Sequence, residues 1–85
     1  MIDIQLEGKR AIIDVRLQAL AGEHPGNDVI NYIKKSPSDR DFEIHVPHKA
    51  NPLLKKLEDI GMNVIRHKVK EDHYYLIITR KQITN

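Results

Sequence analysis

The chain has 85 residues and a mass of 9.9 kDa, which is enough for one small domain and excludes a multidomain enzyme or a long repeat array. Its composition is that of a globular protein, with 40% hydrophobic residues, a net charge of +2, and no cysteine to form disulfides, thiolate metal sites or a nucleophile. No apolar run approaches the roughly 18 residues of a membrane span, and no signal-peptide pattern opens the chain. We therefore expect one cytoplasmic domain over residues 1–85, with no membrane contact.

The first predicted element is a hairpin at the N-terminus. Apolar and polar residues alternate over 2–7, Gly8-Lys9 supplies a tight turn, and the β-branched run at 10–16 follows. Residues 17–23 contain Leu and Ala that suit a helical turn, but Gly22 ends the pattern. We predict a loop there.

Two helices and a third strand come next. The His-Pro pair at 24–25 opens the first helix, because proline lacks a backbone N–H that would be unsatisfied at a first helical position, and Ser-Pro at 36–37 closes it. Residues 41–47 alternate between apolar and polar, which is typical of a strand with one buried face. The Asn-Pro pair at 51–52, as N-cap and first helical residue, opens the second helix, and Gly61 ends it.

The last two strands are predicted at 62–69 and 74–80, joined by a turn. The final strand is apolar at nearly every position, so we place it between the strands at 41–47 and 62–69, antiparallel to both. Right-handed crossovers put both helices on one face of the sheet. The expected fold is an α+β two-layer sandwich with a mixed sheet, ordered β-α-β-α-β-β with an extra N-terminal strand.

A candidate ligand site lies where the first long strand and the strand at 41–47 end beside the N-termini of both helices. Ligands of open α/β sheets bind at this edge, and helix N-termini favour anions. We expect an anion- or carboxylate-accepting pocket framed by His24, His48 and Arg16. Helix capping by His24, loop bonding by Asp14 and an ion pair of Arg16 are the structural alternatives. The candidate ligand-binding residues are His24, Pro25, Asp14, Arg16, His48 and Asn51.

A metal site is a more specific interpretation of the histidines. His45 and His48, together with His24, could supply three nitrogen ligands. However, strand residues alternate between faces and Pro47 intervenes, so convergence is not expected and no metal or cofactor is predicted. The chain also lacks a nucleophile beside a base and any phosphate-binding glycine motif, so we predict a non-enzymatic domain that binds a small ligand or a protein partner.

Nucleic-acid binding is the alternative function. A basic stripe with a nearby tyrosine could hold a single strand through phosphates and stacking. The same residues on an edge strand would prevent edge-to-edge aggregation, and we favour that role because the net charge of +2 is low for a nucleic-acid binder. The stripe consists of Arg66, Lys68, Lys70 and Arg80.

Self-association is left open by the pattern of the last strand. Either assignment of its faces leaves large apolar groups, such as Tyr75 and Ile77, on the uncovered face, and Ile12 or Ile13 adds another. The chain is therefore expected to be a monomer, with long basic side chains covering this patch, or a weak homodimer through the open sheet face.

Five short motifs carry a family resemblance: Ile13–Arg16, His24-Pro25, Phe42–His48, Pro52–Leu54 with Gly61, and Tyr75–Arg80. By their order and spacing, the chain resembles the TusA/SirA-like family of small α/β domains over roughly residues 11–81. The family fold is a β-α-β-α-β-β two-layer sandwich, whose sulfur-carrier members begin the first helix with Cys-Pro. Here His24-Pro25 stands at that position, so the resemblance excludes persulfide chemistry and favours an uncharacterised branch that carries His-Pro. Members of that branch occur beside hemerythrin-like and other redox-associated domains, which implies a link to redox or metal physiology. A sulfur-relay accessory role is a further alternative.

Overall fold

The computed structural model describes residues 2–80, which form a five-stranded mixed sheet and three helices. No helix within these residues is long and apolar enough to cross a membrane. The chain is thus a small α+β domain. Its strands are β1 (Asp3–Glu7), β2 (Arg10–Asp14), β3 (Asp41–Val46), β4 (Met62–Lys70) and β5 (His73–Arg80), and its helices are α1 (Arg16–Leu20), α2 (Gly26–Lys35) and α3 (Asn51–Asp59).

The strands lie in the order β1-β2-β3-β5-β4. β5 occupies the position between β3 and β4 that its apolar sequence predicts, and it runs antiparallel to both. β2 and β3 are parallel, and the N-terminal hairpin of β1 and β2 forms the far side of the sheet. The carboxyl ends of β2 and β3 therefore meet, and Val15 N–H extends their pairing by donating to the carbonyl of His45 at 3.1 Å.

α1 corrects the prediction of a loop over residues 17–23. Its turn closes through backbone bonds, including Ala19 N–H to the carbonyl of Val15 at 2.9 Å, and Gly22 follows in a left-handed conformation. Leu17 and Leu20 remain 80% and 72% exposed, and no residue of α1 is buried. α1 therefore forms a short helix without the buried apolar face that usually marks a surface helix in a sequence.

Compared with the sequence prediction, α2 begins one residue later and α3 begins one residue earlier. α2 begins at Gly26 with Pro25 as its N-cap, and α3 begins at Asn51 with Ala50 as its N-cap. Ala50 has a left-handed backbone, with φ of 52°, so the turn into α3 is made by Ala50. The Asn51 side chain is consequently released from capping and bonds elsewhere.

The buried residues form one hydrophobic core. Its strand members alternate along the chain, for example Phe42 and Ile44 in β3, and they pack with Val29 and Ile33 of α2 and Leu57 of α3. The strand residues between these core residues point to the other face of the sheet and are partly buried or exposed. We call this face the open face. The open face consists of Arg10, Ile12, Asp14, Glu43, His45, His73, Tyr75, Ile77, Thr79, Ile65 and His67.

Candidate functional site

The six residues predicted to form one site occupy three places. His24, Pro25 and His48 line a cleft of about 300 Å³ beside the N-terminal ends of α2 and α3. Asp14 and Arg16 pair with each other and line two other cavities, and Asn51 binds a side chain of β4. The structure therefore brings the two histidines together and leaves Arg16 outside the His24–His48 cleft.

Apolar groups dominate the walls of this cleft. Val15 comes directly after β2, Val46 is the last residue of β3, and Leu53 lies in the first turn of α3. Two charged residues, Glu23 and Lys56, complete the walls with the two histidines. Such a cleft has room for a small apolar body and places polar groups at its rim. The apolar lining residues are Val15, Ala19, Pro25, Val46, Pro47, Ala50, Pro52 and Leu53.

His48 is held in a defined state by the turn that precedes α3. Its Nδ1 accepts a hydrogen bond from the backbone N–H of Ala50 at 3.0 Å. A neutral imidazole that accepts at Nδ1 carries its proton on Nε2. His48 therefore offers its Nε2–H as a donor to a ligand.

The polar groups of the cleft are mostly hydrogen-bond donors, which suits an acidic group. Lys56 is a cation, His24 and His48 can each donate from a ring N–H, and Glu23 supplies the one carboxylate among the cleft residues. Within residues 2–80, neither α2 nor α3 has a side chain bonded to its first N–H groups. A carboxylate placed here would meet donors and positive charge together.

Asp14 and Arg16 form a bidentate pair at the end of β2. Arg16 donates from Nη2 to Oδ2 at 2.8 Å and from Nε to Oδ1 at 3.0 Å, and its backbone N–H also donates to Oδ1 at 3.0 Å. The hydrogen bonds from Arg16 hold the pKa of Asp14 below its ordinary value against an opposing effect of burial. The guanidinium is thus already paired within the chain, as the structural alternative expected.

Arg66 and Arg80 of the predicted basic stripe are engaged with other parts of the chain. Arg66 Nη1 donates to Oδ1 of Asn51 at 2.6 Å and to the carbonyl of Lys49 at 3.1 Å, so it fastens β4 to the start of α3. Arg80 Nη2 donates to the carbonyl of Ile33 at 3.2 Å, at the last turn of α2. Carbonyls at a helix C-terminus lack helical partners, and a cation there is favourable.

Lys68 and Lys70 have acidic partners in the turn after β4. Lys68 lies 2.8 Å from Glu71, and Lys70 lies 3.9 Å from Asp72. Each of the four basic residues of the stripe therefore has a partner within the chain, which reduces the positive charge that this surface offers to phosphates.

The sequence analysis missed a cluster on the open face. His45 Nε2 lies 2.7 Å from Oε2 of Glu43, and His45 Nδ1 lies 2.9 Å from Nε2 of His73. The alternation of β3, which puts residues 43 and 45 on one face, was an available signal. His73 is the first residue of β5. The sequence predicted that this strand pairs with β3, but it placed His73 in the preceding turn and did not give the register of the two strands.

His45 therefore lies on the open face and His48 in the cleft. Residues 2–80 contain no group of three His, Asp or Glu side chains arranged to hold a metal ion. A search of protein-family models, of curated proteins and of solved structures found no match to the chain.

Proposed function

We propose that the protein is a non-enzymatic binding domain whose cleft accepts a small ligand with an apolar body and a carboxylate. The observation that carries this proposal is that His24, His48 and Lys56 line one mostly apolar cleft of about 300 Å³. The apolar walls would bury the body of the ligand, and the Nε2–H of His48 would donate to the carboxylate. Removal of apolar surface from water supplies most of the affinity in such a site, and the polar contacts set its orientation.

The proposal includes a TusA-like arrangement in two layers, with α2 and α3 on one face of the sheet. In support, β2, α2, β3, α3, β4 and β5 follow one another in the order β-α-β-α-β-β, and His24-Pro25 precedes α2. The absence of cysteine removes persulfide chemistry, so the function assigned to the cleft is reversible binding. A link to redox or metal physiology belongs to the same proposal.

An NMR titration of the labelled protein with benzoate tests the location of the site. We expect shift changes concentrated on residues of the His24–His48 cleft, and much smaller changes with benzyl alcohol, which has the same ring without the charge. Parallel titrations with a divalent metal ion and with heme test the link to redox or metal physiology. Benzoate shifts that are scattered over the surface, or that are absent from the cleft, would overturn the proposal.

We propose, as a second function, a weak homodimer through the part of the open face formed by β4 and β5. Ile65 is 60% exposed there, and the partly buried Ile77 pairs with it across the two strands. A two-fold axis would bring these apolar groups onto their copies, while the charged groups of β1 to β3 would stay at the rim.

A further inference from the structure

Three side chains of the open face form a continuous hydrogen-bonded chain. Glu43 lies 2.7 Å from Nε2 of His45, and Nδ1 of His45 lies 2.9 Å from Nε2 of His73. Arg10 donates to the other carboxylate oxygen of Glu43 at 3.3 Å. His45 and His73 also line a cavity of about 240 Å³ at the end of β2. This cavity is separate from the His24–His48 cleft.

The Glu43 carboxylate fixes which atom donates in each hydrogen bond of this series. A carboxylate only accepts, so the Nε2 of His45 must carry a proton. In a neutral ring, the Nδ1 of His45 is then an acceptor, and the Nε2 of His73 must be the donor. This leaves Nδ1 of His73 without a proton.

We propose that Glu43, His45 and His73 form a proton relay that makes Nδ1 of His73 a proton-accepting site in this cavity. A proton bound at Nδ1 of His73 is balanced by transfer of the Nε2 proton of His73 to Nδ1 of His45. The positive charge then lies on His45, beside the Glu43 carboxylate. His73 thereby changes from an acceptor of O–H and N–H groups to a donor toward carbonyl or carboxylate groups.

The relay takes up one proton and resists a second. Two imidazolium rings joined at 2.9 Å would repel each other strongly. Burial, and then the positive charge of Arg16 and His45, lower the pKa of His73 from its ordinary value. The surrounding groups from the first two strands and α1 are Asp3, Asp14, Arg10 and Arg16. Those from β4, the following turn and β5 are His67, Lys70, Asp72 and Tyr75.

The test is a pH titration of the ¹⁵N and ¹H signals of the histidine rings. At a pH where the rings are neutral, we expect both His45 and His73 to carry the proton on Nε2. On acidification, the Nδ1 signals of both rings should move together with one midpoint. In the variant Glu43→Gln, whose amide can also donate, His73 should lose its single tautomer. The variant His67→Gln, which keeps the relay and removes a ring stacked on Tyr75, should leave both signals unchanged.

A neutral His73 with its proton on Nδ1 would overturn the proposal. The proposal would also be overturned if His45 and His73 titrated with separate midpoints, and if the midpoint of each ring stayed unchanged when the other was replaced, in His73→Gln or His45→Asn. The measurement uses the free protein without any ligand of the His24–His48 cleft, so its outcome is independent of the proposed function.

Discussion

Asp14 and Arg16 show how a single ion pair couples stability to pH. The pKa of Asp14 is lowered in the folded state by the hydrogen bonds from Arg16. The stabilisation is therefore present above the pKa of an unfolded aspartate, about 3.9, and is lost as the pH falls through the lower folded value. Because both side chains are more than one-third exposed, with fractions of 37% and 39%, solvent screens much of the effect.

We expect Asp14→Asn to lower the free energy of unfolding at neutral pH by about 0.5–1 kcal/mol. The difference from the native chain should shrink in acid, where the native aspartate is also protonated. Urea unfolding at neutral and acidic pH measures both quantities. The control is Asp39→Asn, which removes an exposed pair with Lys9 at 3.8 Å and should change stability by less. A difference for Asp14→Asn that grew on acidification would contradict this account.

Two glycines, one at the start of α2 and one after the end of α3, test the role of backbone conformation in stability. Gly61 follows α3 with φ of 87°, a conformation in which a side chain is strained. We expect Gly61→Ala to destabilise the domain by about 1 kcal/mol. Gly26→Ala is the matched control, because an added methyl group at Gly26 would lie 3.9 Å from Leu53 in ordinary contact. Equal losses in thermal unfolding of the two variants would refute a conformational cause.

The sequence predicted strands correctly where burial requires a regular pattern of apolar residues. The alternation of β3 and the continuous apolar run of β5 both predict strands that the structure contains. α1 escaped prediction because its backbone turn needs no buried side chain, as the exposure of Leu17 and Leu20 demonstrates. The N-cap of α3 was misplaced because a left-handed Ala50 has no sequence signature comparable to that of Asn51.

The candidate site could be predicted only in part. The topology rule correctly indicated that His24 and His48 lie near the N-terminal ends of α2 and α3, because it depends on the order of the elements. It did not resolve the direction of individual side chains at that edge. Arg16 turns back onto Asp14 through bonds of 2.8–3.3 Å, which spacing along the sequence does not distinguish from a free cation.

Association of the domain as a whole is tested by sedimentation at several concentrations. We expect dimers to appear in the high micromolar range and to be abolished by Ile65→Lys, because a charge at this exposed apolar position cannot be buried against a second copy. Leu17→Lys, on α1 and more exposed still, should leave the mass unchanged. A monomer mass that holds across this range for the native chain would exclude the dimer.

The most direct measurement is the dissociation constant of benzoate for the native chain and for His24→Ala and His48→Ala, obtained by calorimetry. Loss of a charge-assisted hydrogen bond predicts an affinity about tenfold or more lower in each variant. His67→Gln, on the open face, should bind as the native chain does. Equal affinity in all four proteins, or benzyl alcohol binding as tightly as benzoate, would contradict a carboxylate site between His24 and His48.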